Sequence, residues 1–490
     1  MSSSIILPQD SSEPLYRQVR QAFEDAIAAG QYLDRPLPSS RALAVELGIS
    51  RNTINLAFQG MIADGLIVSE ERVGYRANTS MLQPAPSLPT PVDHRSSEVN
   101  WSQWLQPRVH NTLPEIRKDY DWHAYPYPFI YGQVPSSAFP ITAWNRALRT
   151  SMEYPHVNMS LRDSGSADDP LLIEQLRTTV LPSRGIRAEP EEVLITLGAQ
   201  NGLFLCARSL VQAGDKTVIE SPGYPDAAHI LAAAGADLHA VEVDEEGIDV
   251  DQIPTDAGLI SVTPSHQFPT NAQLSQSRRR RLLDHARFHN SLIIEDDYDS
   301  ELRYVGRAAP ALRASDRDRV IYIGSFSKFL APGLRIGYVV AAPELIERMR
   351  HERRYSVRHP PGQIQRALAL LIASGDYQRV LRRYRLSLKD RWSVMNDTLR
   401  IIIGSKFQAS TGGTSMWVPL PDGVKADCVV RQAAKRGVLV ESGTPCFIEG
   451  HPDRQRFLRI GYAAIPLESI VPGLRELAEV IHAERQHHRN

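Results

Sequence analysis

From about residue 115 onward the chain alternates short apolar runs with helical patterns, and this alternation constrains the fold more than any other feature. The runs are 193–196 (VLIT), 217–219 (TVI), 259–263 (LISVT), 292–294 (LII), 320–323 (VIYI) and 336–341 (IGYVVA). Uncharged runs this short, bounded by turns, suit strands buried on both faces. Strands separated by helices build a mostly parallel sheet, so the expected class is α/β, with ligand chemistry at the sheet's carboxyl edge. No internal repeat at a fixed period interrupts this reading.

Residues 1–80 follow another plan. Leu15, Val19, Ala22, Phe23, Ala26 and Ile27 share one helical face. A second helix follows LPSS with Leu43, Ala44 and Leu47 inward, and Gly48 breaks it. Ser50 is placed to cap a third helix whose inner face carries Ile54, Ala57, Phe58, Met61 and Ile62. Gly65 ends that helix, and Leu66-Ile67-Val68 opens a strand. The expectation is helix, helix, tight turn, helix and a β wing. Between the two zones, residues 81–97 carry Pro84, Pro86, Pro89 and Pro91 in a polar setting, the composition of an extended linker. The expected organisation is a small domain over 1–80, a Pro-rich linker over 81–114 and a large domain over 115–490.

Bulk properties exclude several classes. With 490 residues, 42% of them hydrophobic and 23% charged, the chain has the balance of a globular protein of more than one domain. It lacks an apolar run long enough to span a bilayer, and its first residues lack a secretory pattern. Cys206, Cys428 and Cys446 lie too far apart for a disulfide framework or a metal motif, so no metal and no membrane are expected. A reducing cytoplasm is the expected location.

Two sets of residues carry chemistry. In the small domain, LPSSRALAVELGISRNTINLAFQGMIADGLI sets Arg51, Asn52 and Thr53 at the start of the third helix and Arg41 near the start of the second. A helix in the major groove offers its first residues to base edges; arginine can fork onto guanine and asparagine onto adenine. Residues 1–80 hold seven Arg and Lys against nine Asp and Glu, so positive charge must be gathered locally. The string resembles the winged helix-turn-helix of GntR-type regulators over roughly residues 14–77. The wing departs from that family's glycine-rich turn, reading RVGYRAN, with Arg76 as the expected contact.

In the large domain four strings point to one ligand. IYIGSFSK ends in Lys328, preceded by Ser325 and Ser327 and followed seven positions on by Arg335. A lysine amine can form an imine with an aldehyde, while serines and an arginine suit a phosphate monoester. LIIEDDYDSE runs a strand into acids; Asp296 is read as the partner of a protonated ring nitrogen, and Tyr298 as the partner of a ring hydroxyl. LITLGAQNGLFL turns through Gly198, Ala199 and Gln200 into a helix whose first amides can seat phosphate. ESPGYPD presents Tyr224 where an aromatic can stack on the ring. The ligand with these parts is pyridoxal 5'-phosphate (PLP).

These strings, with TPSHQFPT at 263–270, resemble fold-type-I aminotransferases, and the whole chain is similar to the MocR/GabR-type regulators. The resemblance implies a winged-helix domain fused to an aminotransferase-like domain with a mixed, mostly parallel sheet and a small C-terminal α+β subdomain. It also implies PLP as a Schiff base on Lys328, double-stranded promoter DNA and a small amino-compound effector as partners, and a head-to-tail homodimer that exchanges its DNA-binding domains. FLRIGYA places Arg459 where aminotransferases grip a substrate carboxylate. Asp226 falls near the position of a second arginine in GABA-responsive members, which favours an effector with a cationic or neutral polar group, such as a diamino acid derivative; taurine, GABA and PLP itself stay open. Asn271 replaces a usual glycine. The run Arg278–Arg281 reads as a solvated helix face, and 353–361 as either an entrance to the site or a bridge. The alternative function is a working aminotransferase with an appended DNA-binding domain.

Overall fold

The computed structural model describes residues 13–70, 73–78, 99–105, 113–116, 121–306, 308–404 and 410–487, together with positions 5, 7 and 407. Residues 1–106 and 107–490 form two compact units. The linker stretch 81–97 lies outside the described residues; within the wider range 81–114, Trp101–Gln103 make one short 3-10 turn.

The first unit contains α1 (Leu15–Ala28), α2 (Ser40–Leu47), α3 (Arg51–Ala63), β1 (Ile67–Glu70) and β2 (Gly74–Ala77). Local chemistry sets the boundaries. Ser39 Oγ accepts from Ala42 N at 3.2 Å, and Ser50 Oγ accepts from Thr53 N at 3.1 Å, each capping the amides that a helix start leaves without partners. Gly48 ends α2 at φ 67°, a conformation glycine adopts without steric cost. Phe23, Leu43, Ile54 and Phe58 are fully buried, and the Phe23 and Phe58 rings meet edge-on at 5.5 Å. Truncating such an aromatic to alanine costs about 3–5 kcal/mol. The wing is an antiparallel hairpin, Ile67 opposite Ala77. Leu15 and Ile62, expected inward, are exposed. Both sit in terminal turns, where helical periodicity continues past the packed stretch.

The second unit is built on an eight-stranded sheet. Its order is Val193–Thr196, Gly337–Val340, Val320–Ser325, Leu292–Asp297, Leu259–Val262, Lys216–Ser221, Asp237–Asp244 and Gly247–Ile248. The run from Val320–Ser325 to Asp237–Asp244 is parallel, and the pairs at either side are antiparallel. Consecutive residues feed opposite cores: Ile294 packs with the helix Ala199–Leu210, Ile293 with the helix Gln276–Phe288. Both faces of the central strands are covered, which is why stretches such as Val193–Thr196 and Leu259–Val262 are buried at every position. A smaller sheet of Ser415–Pro419, Phe457–Gly461 and Glu441–Ser442 packs with helices near the C-terminus.

Two sequence expectations need correction. The Arg278–Arg281 run is not one solvated face. Arg278 grips Asp244 through both terminal nitrogens at 2.5 Å, and Arg279 is buried, donating to the carbonyls of Leu274, Pro264 and Pro310. An arginine that finds backbone acceptors can bury its whole length. The stretch 353–361 does not open the ligand site: Arg353 is fully buried against Asp168 and the carbonyls of Ile195 and Ser166. Asn271 takes the place of glycine directly. It sits at φ 58°, which asparagine tolerates, and its Nδ2 donates to Ser415 O at 2.8 Å.

Candidate functional site

The sheet's direction gathers the chemistry. Leu292–Asp297, Val320–Ser325, Leu259–Val262 and Lys216–Ser221 all point one way, so Asp296, Ser325, Thr263 and the 222–224 turn share the carboxyl edge. Val193–Thr196 is reached across two antiparallel pairings and points that way too, which brings Gly198, Ala199 and Gln200 to the same edge. Arg335 precedes the reversed strand Gly337–Val340 and therefore starts there as well.

Every residue singled out for cofactor or effector lines one cavity of 290 Å³: Ala199, Gln200, Tyr224, Asp226, Asp296, Tyr298, Ser325, Ser327, Lys328, Arg335 and Arg459. A larger groove of 980 Å³ runs beside Ile401–Ile403 and the helix Ile470–His487. None of the described side-chain atoms lining it is buried without a hydrogen-bond partner. Size alone therefore does not choose between them.

The acids are sorted by strand alternation. Asp297 turns away from the cavity and is used structurally: its Oδ2 accepts from Arg184 Nε and Tyr322 Oη, both at 2.7 Å. Glu295 accepts from the amides of Leu312 and Arg313. Asp296 faces the cavity, and its Oδ1 is sealed from solvent without a hydrogen-bond partner. Burial pushes the Asp296 carboxyl up to about 7, the charge on Asp297 adds to this, and Lys328 opposes it. A buried acceptor in this state is built to meet a cationic donor.

At the other end, Gly198 lets Arg335 come close. A side chain there would meet the guanidinium at 3.3 Å, and Gly198 sits at φ 83°. Arg335 Nη2 donates to Leu197 O at 3.0 Å, and Thr196 Oγ1 to Gly198 O at 2.9 Å, which fixes the turn ahead of the helix Ala199–Leu210. Helix-start amides, a guanidinium and the Ser325 and Ser327 hydroxyls together form an anion seat. Ser325 Oγ accepts from Ser327 N at 3.2 Å and tightens the turn before Lys328. Lys328 Nζ lies 4.0 Å from the Tyr131 ring centre and 5.8 Å from that of Tyr298.

Arg459 is almost wholly buried. Its guanidinium lies 3.2 Å from the Tyr131 ring centre and 4.1 Å from that of Phe268, with Glu441 Oε2 at 3.9 Å. Tyr131 thus meets both cations. Its own phenol is pushed well above the usual range by burial, so it stays neutral. Asp226 Oδ2 accepts from Tyr224 Oη at 2.8 Å and Gln200 Nε2 at 3.2 Å, which ties it to Tyr224 and to the start of the helix Ala199–Leu210. Ile116, Tyr131, Thr263 and Phe268 complete the lining. Phe268 lay within a string already singled out; Tyr131 and Ile116 carry no motif, and no local signal marks them.

In the first unit, Arg41, Arg51 and Asn52 are exposed. Arg51 Nε donates to Ser40 Oγ at 3.3 Å, which links the starts of α2 and α3. The Thr53 hydroxyl is 2.9 Å from Ser50 Oγ, so it serves the helix cap. Arg76 pairs across the wing with Glu70 at 3.5 Å.

Comparison with known proteins fits both units. Residues 15–76 match the bacterial regulatory proteins of the gntR family, and residues 139–477 match aminotransferase class I and II. The chain is 35% identical to the HTH-type transcriptional regulator TauR of Rhodobacter capsulatus, covering 98% of this chain and 99% of that one. The chain belongs to the MocR-type transcriptional regulators. The probable rhizopine catabolism regulatory protein MocR of Rhizobium meliloti is 30% identical over 96% of this chain and 95% of its own. Among solved structures, the α-aminoadipate aminotransferase LysN of Thermus thermophilus, determined with N-(5'-phosphopyridoxyl)-L-leucine, superposes with a TM-score of 0.70 at 26% identity. It covers 79% of this chain and all of that one. As a MocR-type regulator the protein carries a GntR DNA-binding domain and an aminotransferase-like domain. It is a regulator rather than a metabolic enzyme. Among its described residues, no helix is long and apolar enough to cross a membrane, and no cluster of side chains is placed to hold a metal.

Proposed function

We propose that the large domain holds PLP and senses a small amino compound, and that the first domain relays the outcome to promoter DNA controlling that compound's uptake or metabolism. The observation that carries this reading is the sealed Asp296 oxygen sharing one cavity with Lys328, the Arg335 anion seat and Arg459. Those residues fit the cofactor's parts. Asp296 suits the ring nitrogen, Tyr298 the ring hydroxyl and Tyr224 the ring face. Ala199, Gln200, Ser325, Ser327 and Arg335 suit the phosphate. Bound there, PLP supplies an aldehyde that condenses reversibly with amines.

Lys328 contributes the amine that anchors the cofactor and that an amino effector displaces. Arg459, held rigid between two rings, receives the effector's acidic group. Asp226 orients Tyr224 and supplies the negative charge that selects against a second acid on the effector. Arg41, Arg51, Asn52, Thr53 and Arg76 serve the DNA side, with Thr53 acting through the helix cap. The domains run 1–80, 81–114 and 115–490, and two chains pair head to tail with their DNA-binding domains exchanged. The reducing cytoplasm, where promoter DNA lies, is the site of action.

The test is an absorption spectrum of the purified protein titrated with taurine, 4-aminobutyrate and L-ornithine, alongside binding to the DNA upstream of its own gene. The expected result is an imine band that one amine shifts, with a matching change in DNA affinity. A colourless protein that takes up no PLP would overturn the reading.

A further inference from the structure

The stretch 113–116 is the part of the large unit that follows most directly, in chain order, on the DNA-binding unit's last residue, 106. It is anchored at three points. Leu113 packs against a main core, at whose margin Tyr224 and Ile448 also lie. Pro114 O lies 3.1 Å from His229 Nε2 on the helix Pro225–Ala233, the helix that begins immediately after Tyr224. Ile116 packs against the cluster of Tyr131, Phe268, Tyr298 and Cys446 and lines the ligand cavity.

The position of Ile116 is unusual. Of the described residues lining the cavity, it is the one supplied from ahead of Tyr131; the others come from the body of the large unit. It packs against the cluster that holds Tyr131 and Phe268, the rings that clasp the Arg459 guanidinium. A ligand drawn to Arg459 therefore meets an apolar side chain belonging to the strand of chain that leads back to the DNA-binding domain.

We propose that residues 113–116 form the strap through which effector occupancy is read, with Ile116 as a contact to the effector's carbon chain and His229 as the positioning residue that holds the strap against the cavity. This rests on the proposed sensing role of the same cavity. Coupling requires that the effector favour one arrangement over another. The strap supplies that difference: seated, Ile116 covers the ligand; unseated, it leaves an apolar face of the ligand in water. The Pro114–His229 hydrogen bond biases this choice without touching the ligand. The same argument assigns a size preference to the site, since a bulkier residue at 116 shortens the space opposite Arg459.

The experiment uses the full-length, PLP-loaded chain and whichever of taurine, 4-aminobutyrate or L-ornithine shifts the wild-type spectrum. Three quantities are read: the amine titration by absorbance, DNA affinity with and without amine, and hydrogen exchange in the peptide containing residues 113–116. In the wild type the amine slows exchange in that peptide and changes DNA affinity by about 5- to 150-fold, the usual range of coupling between two sites. His229→Leu removes the donor; it leaves DNA affinity without amine within about 2-fold while the amine-dependent change falls toward 1. His229→Gln, which keeps a side-chain N–H at similar reach, restores most of the change. Ile116→Ala weakens amine binding, and Ile116→Phe shifts preference toward the shorter amines. If His229→Leu responds to the amine as fully as the wild type, with unchanged exchange at 113–116, the strap does not carry the signal. If the wild-type spectrum ignores every amine, the sensing role itself fails and the strap proposal falls with it.

Discussion

The proposed DNA-facing surface and the proposed ligand cavity are built on different plans. The first comes from one short stretch, the caps and first turns of α2 and α3, and its leading residues Arg41, Arg51 and Asn52 stand in solvent. The second is collected from segments between Ile116 and Arg459; the Asp296 oxygen and Arg459 at its heart are buried, Lys328 is half-buried and Arg335 stands at the exposed rim. Solvent-exposed groups interact weakly with their neighbours until a partner arrives. Buried ones have already lost their hydration and depend on a precise partner. Substitutions in the cavity are therefore expected to have larger effects than substitutions on the recognition helix.

The largest effect is expected for Lys328→Ala, which removes the amine proposed to anchor the cofactor. The imine absorption band should vanish completely, and borohydride should no longer fix the cofactor to the chain, as checked by intact-mass spectrometry. Retention of a borohydride-fixed adduct in this variant would place the anchor elsewhere.

Asp296→Asn comes next and tests the sealed acid through pH. Burial first, then Asp297, raises this carboxyl to about 7 in the folded protein. An acid whose folded value is raised stabilises the fold fully below its unfolded value near 4, and that contribution is lost as pH rises through 7. Cofactor-free protein should therefore lose stability between about pH 4 and pH 7. The asparagine variant should recover on the order of 2–4 kcal/mol at pH 8. Part of the slope should remain, because burial also lifts Glu220 to about 7. Calorimetry across that range decides the matter; parallel curves for the two proteins would remove Asp296 from the account.

Arg459→Leu should weaken the effector by on the order of 2–3 kcal/mol, the loss of a buried charge-assisted pair of hydrogen bonds. Titration calorimetry should show Arg459→Lys falling between the two, since lysine keeps the charge but not the fork. On the other surface, Arg51→Ala should cost about 1–3 kcal/mol of discrimination between operator and random DNA at fixed salt, and much less of the affinity for random DNA. An equal loss on both DNAs would make Arg51 a phosphate contact. The smallest effect is expected for Ser50→Ala, about 1 kcal/mol of first-domain stability by denaturant titration, from loss of the cap on Thr53 N.

The two regions also differed in how far they could be read before any coordinates. The helix cap at Ser50, the stop at Gly48 and the wing followed from local rules, since each is decided by residues within a few positions. Strands buried on both faces were legible as apolar runs, and Val193–Thr196 matches its expected range. Asp237–Asp244 was not anticipated: DLHAVEVD mixes charge with apolar residues because only Val241 is buried there, near the sheet's edge. Arg279 was misjudged for the converse reason. Its acceptors are carbonyls from Pro264 and Pro310, distant in sequence, which no charge pattern reveals. Among the acids of LIIEDD, Asp296 could be chosen for the ring nitrogen, but the structural partners of Glu295 and Asp297 could not be named, because Leu312, Arg184 and Tyr322 lie far off in sequence.

The order of residues by itself determined the two-part architecture, the groove-reading helix and the lysine, acid and arginine that define the ligand chemistry. These depend on spacing along the backbone, which short-range sterics and hydrogen bonding translate directly into turns, caps and strand edges. Only the tertiary structure decided that Tyr131 and Phe268 clasp Arg459, that Asp297 is held by Arg184 and Tyr322 while Asp296 lines the cavity, and that Ile116 reaches the same space. Those facts arise from packing between segments separated by up to hundreds of residues, where van der Waals contact and exclusion of water, not local preference, set which atoms meet.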